Sequence, residues 1–296
     1  MTAEHLLQFV FSGITSGSIY AIVAIGFNIV YNATGIINFA QGEFVMLGAM
    51  IAISLDPFLP LPLAIAAAVA LTAGIGALVE LLFIRWLDRR GVLRMIVITI
   101  GVSILLREVA HHVWGESVLS LAYFTGNECS SVCILGACVS PQVLWVLGVS
   151  AAIVVGLTLF FSLTLTGTAM RACAASRPAA QLCGVQVRNM VAIAFMLSAA
   201  IGALAGCVVS PITQTRYDCG TSLAIKGFTT AIMGGMGNSL GAVAAGLIIG
   251  VLESASVIAL PLAYKDAVAI AILLGILFFR PSGMFGSREA GALREF

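Results

Sequence analysis

Apolar residues run along this chain in long, nearly unbroken stretches separated by short polar breaks. The stretches fall at roughly 6–31, 35–55, 61–84, 93–114, 141–164, 190–213, 241–259 and 263–280. A helix needs about 20 apolar residues to cross the hydrocarbon core of a bilayer. The ten-residue alternation of a membrane barrel strand is absent. The pattern therefore predicts an all-α, polytopic integral membrane protein with about eight transmembrane helices.

Composition reinforces that class. Hydrophobic residues make up 60% of the 296 positions, charged residues 9%, and the mean hydropathy is +1.11. A soluble domain carries about a quarter charged residues, so this chain has too little polar surface to cover itself in water. In lipid every backbone group must be satisfied internally, which favours helices. The net charge of +1 points to no nucleic-acid partner. The opening Met-Thr-Ala-Glu-His lacks the basic start of a cleavable signal peptide, so the first stretch reads as a permanent span.

Lys and Arg orient the spans, because short cytoplasmic loops are enriched in both. Ten of the 14 basic residues form three clusters: Arg85, Arg89, Arg90 and Arg94; Arg171, Arg177 and Arg188; and Arg280, Arg288 and Arg294. The loop 115–140 has Glu116 and Glu128 but no Lys or Arg. Clusters inside and that loop outside is self-consistent, with Met1 outside and the C-terminus inside. Between Arg188 and Arg280 the chain must then cross an even number of times. Three full stretches are present there, so a fourth crossing is required. Its candidate is 226–240, whose Gly-Gly-Met-Gly run fits a half-helix followed by irregular backbone. Such backbone is tolerated at membrane depth only beside protein or a water-filled cavity.

Glycines spaced four apart, at Gly13/Gly17, Gly202/Gly206, Gly237/Gly241 and Gly246/Gly250, allow close helix approach, either within one subunit or between two. Polar residues at membrane depth single out Asn38, Gln41 and Glu43. Buried carboxylates usually face a cavity or a partner, so these residues read either as a pathway lining or as a packing cluster near one interface. Glu253 and the pair Arg107 and Glu108 lie toward outer span ends, where snorkelling explains them. Thr229, Gly234 and Gly235 of the broken segment join the candidate pathway residues.

Absences narrow the chemistry. The two lysines, Lys226 and Lys265, follow Ile and Tyr, so no P-loop Gly-Lys pair exists. His5, His111 and His112 lack metal-ligand spacing, and no metal or other cofactor is expected in this chain. Cys129, Cys133, Cys138 and Cys219 fall in outer segments, where an oxidising compartment allows disulfides with three possible connectivities. Cys173, Cys183 and Cys207 read as free thiols.

The inner loop 165–190 is too long and apolar for a simple turn. Pro178 suits the first turn of a short helix and Gly184 its end. The loop reads as a short amphipathic helix on the cytoplasmic face, or as a connector lying on the membrane surface.

Four stretches carry a resemblance. GSIYAIVAIGFNIVYNATGIINFAQGEFVMLGA (17–49) is similar to the N-terminal signature of branched-chain amino acid ABC permeases of the LivH type. MRACAASRPAAQLCGVQVRNM resembles that family's cytoplasmic ATPase-contacting loop. KGFTTAIMGGMGNSLGAVAAGLIIGVLES and LLGILFFRPSGMFG resemble its C-terminal half. The Cys-rich NECSSVCILGACVSP departs from the family's pattern.

The resemblance implies one permease domain over 1–296, in a bacterial inner membrane. It implies a second LivH/LivM-like permease, two cytoplasmic ABC ATPases that bind the ATP, and a periplasmic solute-binding protein. Arg171, Arg177, Ala179, Gly184, Val185 and Arg188 would then couple to the ATPases. Permeases for urea and short-chain amides share these motifs and stand as the alternative. A stand-alone secondary transporter, a membrane enzyme and a structural scaffold are further rivals.

Overall fold

The computed structural model describes residues 3–85, 92–126, 132–134, 137–257, 261, 264–279 and 283–284. Arg89, Arg90, Arg280, Arg288, Arg294 and Cys129 lie outside these residues. The described chain is helical apart from one short hairpin. In order, the helices are α1 (Ala3–Thr34), α2 (Gln41–Leu55), α3 (Leu61–Val79), α4 (Val92–Trp114), α5 (Pro141–Leu163), α6 (Leu165–Ala175), α7 (Arg177–Leu182), α8 (Val187–Thr213), α9 (Cys219–Gly234), α10 (Ser239–Ser256) and α11 (Lys265–Phe279). A π-helical turn, Glu80–Ile84, extends α3. Strands β1 (Val132–Ile134) and β2 (Ala137–Val139) pair antiparallel between α4 and α5.

Five helices are long and apolar enough to cross a membrane: Gln8–Thr34, Leu61–Ile84, Pro141–Leu163, Val187–Thr213 and Ser239–Ser256. Helices α2 and α11 are apolar but only 15 residues each, and α4 carries Arg94, Arg107 and Glu108. Five of the about eight expected spans are thus matched at full length among the described residues. Large apolar side chains such as Leu63, Leu71, Val155, Leu159 and Leu274 remain exposed on the outer surface. Such a surface suits lipid, and the chain is a multi-pass membrane protein.

Helix α1 is the axis of the bundle, packed most closely against α10. A methyl group built on Gly17 would lie 2.5 Å from the Gly246 carbonyl oxygen, and one on Gly246 would lie 2.7 Å from the Gly17 carbonyl. Gly13 and Gly250 face each other in the same way one turn further on. These glycines therefore close a contact inside one chain, not between two. Gly202 seats α8 against Phe44 of α2. Gly237 instead lies in a turn at φ +94°, a left-handed conformation that favours glycine.

The break expected at 226–240 is present, but its helix begins earlier. Helix α9 starts at Cys219 and covers 16 residues, about 24 Å at 1.5 Å per residue. It ends at Gly235 (φ +86°), and α10 returns from Ser239. The turn is satisfied from α1: Asn28 Nδ2 donates to the Asn238 carbonyl (3.2 Å) and Asn28 Oδ1 accepts from Gly237 N (3.1 Å). Asn32 Nδ2 donates to the Gly237 carbonyl (3.2 Å). Two asparagines four residues apart thus supply the protein partners that irregular backbone needs.

Candidate translocation site

A cavity of about 270 Å³ opens between α1, α2, α8 and α9, at the end of the bundle opposite the α9–α10 turn. Its apolar wall comes from Ile19, Val45, Met46, Ala49 and Val209. Ser16, Thr213 and Ser222 also line it, the last two donating to backbone carbonyls of their own helices. Deepest along α9 lies Lys226, whose Nζ donates to Glu253 Oε1 (2.8 Å) and to the Tyr20 hydroxyl (3.2 Å). Glu253 is fully buried and Lys226 13% exposed, so Glu253 is ion-paired inside the bundle and not snorkelled to water.

The mouth is built on strained backbone. Gln214 ends α8 at φ 55°, ψ 144°, a conformation that costs a non-glycine residue about 1–3 kcal/mol. It is held there by Gln214 N donating to the Ser210 carbonyl and by the Thr215–Leu119 pair, whose two backbone bonds measure 2.9 and 2.6 Å. Ser210 Oγ also accepts from Leu121 N (3.3 Å), tying the segment after α4 across the bundle end. On the exposed link to α9, the hydrogen-bonded Arg216 guanidinium holds the Asp218 carboxyl below the usual carboxylate range.

None of the expected pathway residues lines this cavity. Asn38 precedes α2 instead of lying on it, and its Oδ1 accepts from Ala40 N (3.1 Å). Gln41 is fully buried: its Nε2 donates to the Ser198 carbonyl (3.2 Å), and it accepts from Ser198 Oγ, which also donates to the Gly26 carbonyl (2.9 Å). That junction locks α1, α2 and α8 together. Glu43 Oε1 accepts from Ser103 Oγ (3.0 Å) and Thr221 Oγ1 (3.3 Å), while its Oε2 has no hydrogen-bond partner among the described residues. Thr229 is buried and donates within its own helix to Ile225 O (2.8 Å). Gly234 abuts Ala242, and Gly235 turns the chain. Asn38 lines a separate small cavity with Thr99 and Phe195, and the other five sit in packing or turn positions.

A family profile described as branched-chain amino acid transport system / permease component matches residues 9–277. The chain belongs to that family. It is 34% identical over 301 residues to the high-affinity branched-chain amino acid transport system permease protein BraD of Pseudomonas aeruginosa, covering 96% of this chain and 97% of that protein. It is 31% identical to the corresponding protein LivH of Escherichia coli, with the same shares covered. The solved structure of PsaBC from Streptococcus pneumoniae in complex with Fab covers 94% of this chain and 93% of its own, at 14% identity and a TM-score of 0.51. That likeness concerns the fold alone.

In this permease the segment expected to couple to ATPases forms two short helices. Thr164 and Ser176 cap them, accepting from Gly167 N (2.9 Å) and Ala179 N (3.4 Å). Pro178 lies in the first turn of α7, and Gly184 takes φ +83° just beyond it. Met170, Cys173 and Ala180 face inward, whereas Leu165 and Leu182 are about nine-tenths exposed, at 91% and 90%. Arg171, Ala179, Gly184 and Arg188 are exposed and Val185 half-buried. Arg177 Nη2 donates to the Ala33 carbonyl (3.0 Å), joining α7 to the last turn of α1.

The expected disulfide set is only partly described. Cys133 and Cys138 are opposite each other in the hairpin register. Cys219 is a free, half-buried thiol on the cavity wall. Cys173, Cys183 and Cys207 are free. Sequence reasoning missed Tyr20, Lys226, Ser198 and the Asn28/Asn32 pair. The asparagines carried a signal, two amides one turn apart in an apolar stretch; the Lys226–Glu253 partnership spans 27 positions and carried none.

Proposed function

We propose that this chain is the membrane-spanning permease subunit of an ABC importer for branched-chain amino acids, in a bacterial inner membrane. The observation that carries the reading is the family match over residues 9–277, together with relatives named for branched-chain amino acid transport along nearly their whole length. Its partners are a second related permease, two cytoplasmic ATPases that bind ATP, and a periplasmic binding protein. The N-terminus lies in the periplasm and the C-terminus in the cytoplasm.

On this reading the exposed faces of α6 and α7 meet an ATPase, and Arg171, Arg177, Ala179, Gly184, Val185 and Arg188 form the lever. Movement of α7 passes to α1 through the Arg177–Ala33 bond, and α1 carries it to the cavity wall at Ser16, Ile19 and Tyr20. Asn38, Gln41, Glu43, Thr229, Gly234 and Gly235 serve the pathway by fixing the helices that form it. Cys129, Cys133, Cys138 and Cys219 are proposed to include at least one disulfide, with the connectivity open.

Purification of the tagged chain from its native membrane in mild detergent, followed by mass spectrometry, tests the assembly. Two ATPases and a second permease are expected in the eluate. Recovery of a homogeneous, transport-competent chain alone would overturn it.

A further inference from the structure

The link between α4 and α5 holds three of the chain's seven cysteines, Cys129, Cys133 and Cys138. Cys133 is the middle residue of β1, and Cys138 is the middle residue of β2. The register sets them directly opposite each other, with Val132 against Val139 on one side and Ile134 against Ala137 on the other. Only Leu135 and Gly136 separate the strands in sequence. So short a connection fixes the register of the pair.

Opposite residues of an antiparallel pair lie about 4.5–5.5 Å apart at Cα, depending on whether they exchange the ladder hydrogen bonds. A disulfide spans roughly 4.4–6.8 Å between Cα atoms. Opposite positions also share one face of the ribbon. The backbone thus meets the distance and facing requirements at Cys133 and Cys138 without rearrangement. Cys219 stands apart, a free thiol in the first turn of α9 on the cavity wall. The hairpin has a use for a covalent closure. Strand β2 runs beside α1, so its position depends on strand pairing that three residues a side hold weakly. A link closing the six residues from Cys133 to Cys138 removes open conformations from the competition.

We propose that Cys133 and Cys138 form a cross-strand disulfide that locks this hairpin shut. The two thiols give up two protons and two electrons to a protein or small-molecule disulfide of the periplasm. One thiolate attacks that disulfide and releases its first thiol. The second thiolate then displaces the remaining half, leaving the Cys133–Cys138 bond and two reduced thiols on the oxidant. Cys129 stays a free thiol. The assignment rests on the periplasmic placement of this loop in the importer reading, and it names which cysteines pair.

The test takes the full transporter from its native membrane. Cells are quenched in acid to stop thiol exchange, and the denatured chain is alkylated with and without prior reduction. Intact-mass spectrometry is expected to find five labels on the unreduced chain and seven after reduction. Cleavage after Leu135 is expected to give fragments that hold together until reduced. Trypsin cannot make that cut, since no Lys or Arg occurs between Arg107 and Arg171. The two-label difference persists in Cys129→Ala and vanishes in Cys133→Ala. Seven labels without reductant, a difference that survives Cys133→Ala, or one lost in Cys129→Ala overturns this pairing. Orientation is read separately with Ser117→Cys, at an exposed position of the same loop, in a Cys129→Ala background. An impermeant maleimide is expected to label it in intact spheroplasts. Labelling only after lysis overturns the periplasmic placement itself, whatever the label count.

Discussion

Replacing Lys226 with Met leaves the Glu253 carboxylate in a fully buried position without its 2.8 Å ammonium partner. Removing one member of a buried ion pair typically costs about 3–5 kcal/mol, because the remaining charge stays desolvated. Lys226 keeps 13% of its side chain exposed, so partial hydration places the cost near the lower end, about 3 kcal/mol. Glu253→Met incurs a similar or larger penalty, since the ammonium also loses its closest acceptor. Replacing both residues with Met removes both desolvation costs. The buried Tyr20 hydroxyl then lacks both its Lys226 and its Glu253 partner, a cost of about 2 kcal/mol. The double variant is therefore more stable than either single one, with a coupling of at least about 3 kcal/mol. Thermal denaturation in detergent, followed by loss of the monodisperse chromatographic peak, reads this out. A 3 kcal/mol penalty corresponds to a fall of roughly 6–12 °C for a domain of this general size. Single-variant losses that simply add in the double variant would refute the reasoning, because they would mean that the two charges do not stabilise each other.

Three further outcomes follow from particular contacts. Gln214→Gly relaxes the φ 55° conformation and is expected to raise thermal stability by about 1 kcal/mol, whereas an unchanged or lower midpoint would show the position unstrained. Gly250→Leu places a side chain onto Gly13 and Gly17 backbone, so the α1–α10 contact cannot close; near-complete loss of folded protein is expected, and normal yield would contradict the packing. Leu182→Asp alters a 90%-exposed side chain without touching the core, and should leave yield unchanged while lowering uptake several-fold and loosening ATPase association. Unaltered uptake would remove α7 from the coupling surface.

The helices were legible because their cause is local: apolar runs of about 20 residues admit few other structures in lipid. Charge parity called for one more element between Arg188 and Arg280, and α9, a short helix ended by Gly235, lies where that element was expected. Its start at Cys219 was hidden, because Cys219–Ile225 carries no apolar run and owes its helix to packing against α1 and α2. The span containing Asn38, Gln41 and Glu43 read as one helix from 35, yet Asn38 bonds its own following backbone and delays the helix to Gln41. These polar residues were correctly singled out as unusual for membrane depth. What they contact was beyond sequence reach: Gln41 meets Ser198 at a separation of 157 residues, and Glu43 meets Thr221 at 178. The same limit hid the cavity, whose walls come from four helices that only tertiary packing brings together.

Uptake of labelled leucine into proteoliposomes containing this chain, its partner permease and both ATPases bears most directly on the central claim. Accumulation that requires both ATP and the loaded binding protein is the predicted result. Accumulation by this chain alone, driven by an ion gradient without ATP, would contradict the importer account and make the protein a secondary transporter.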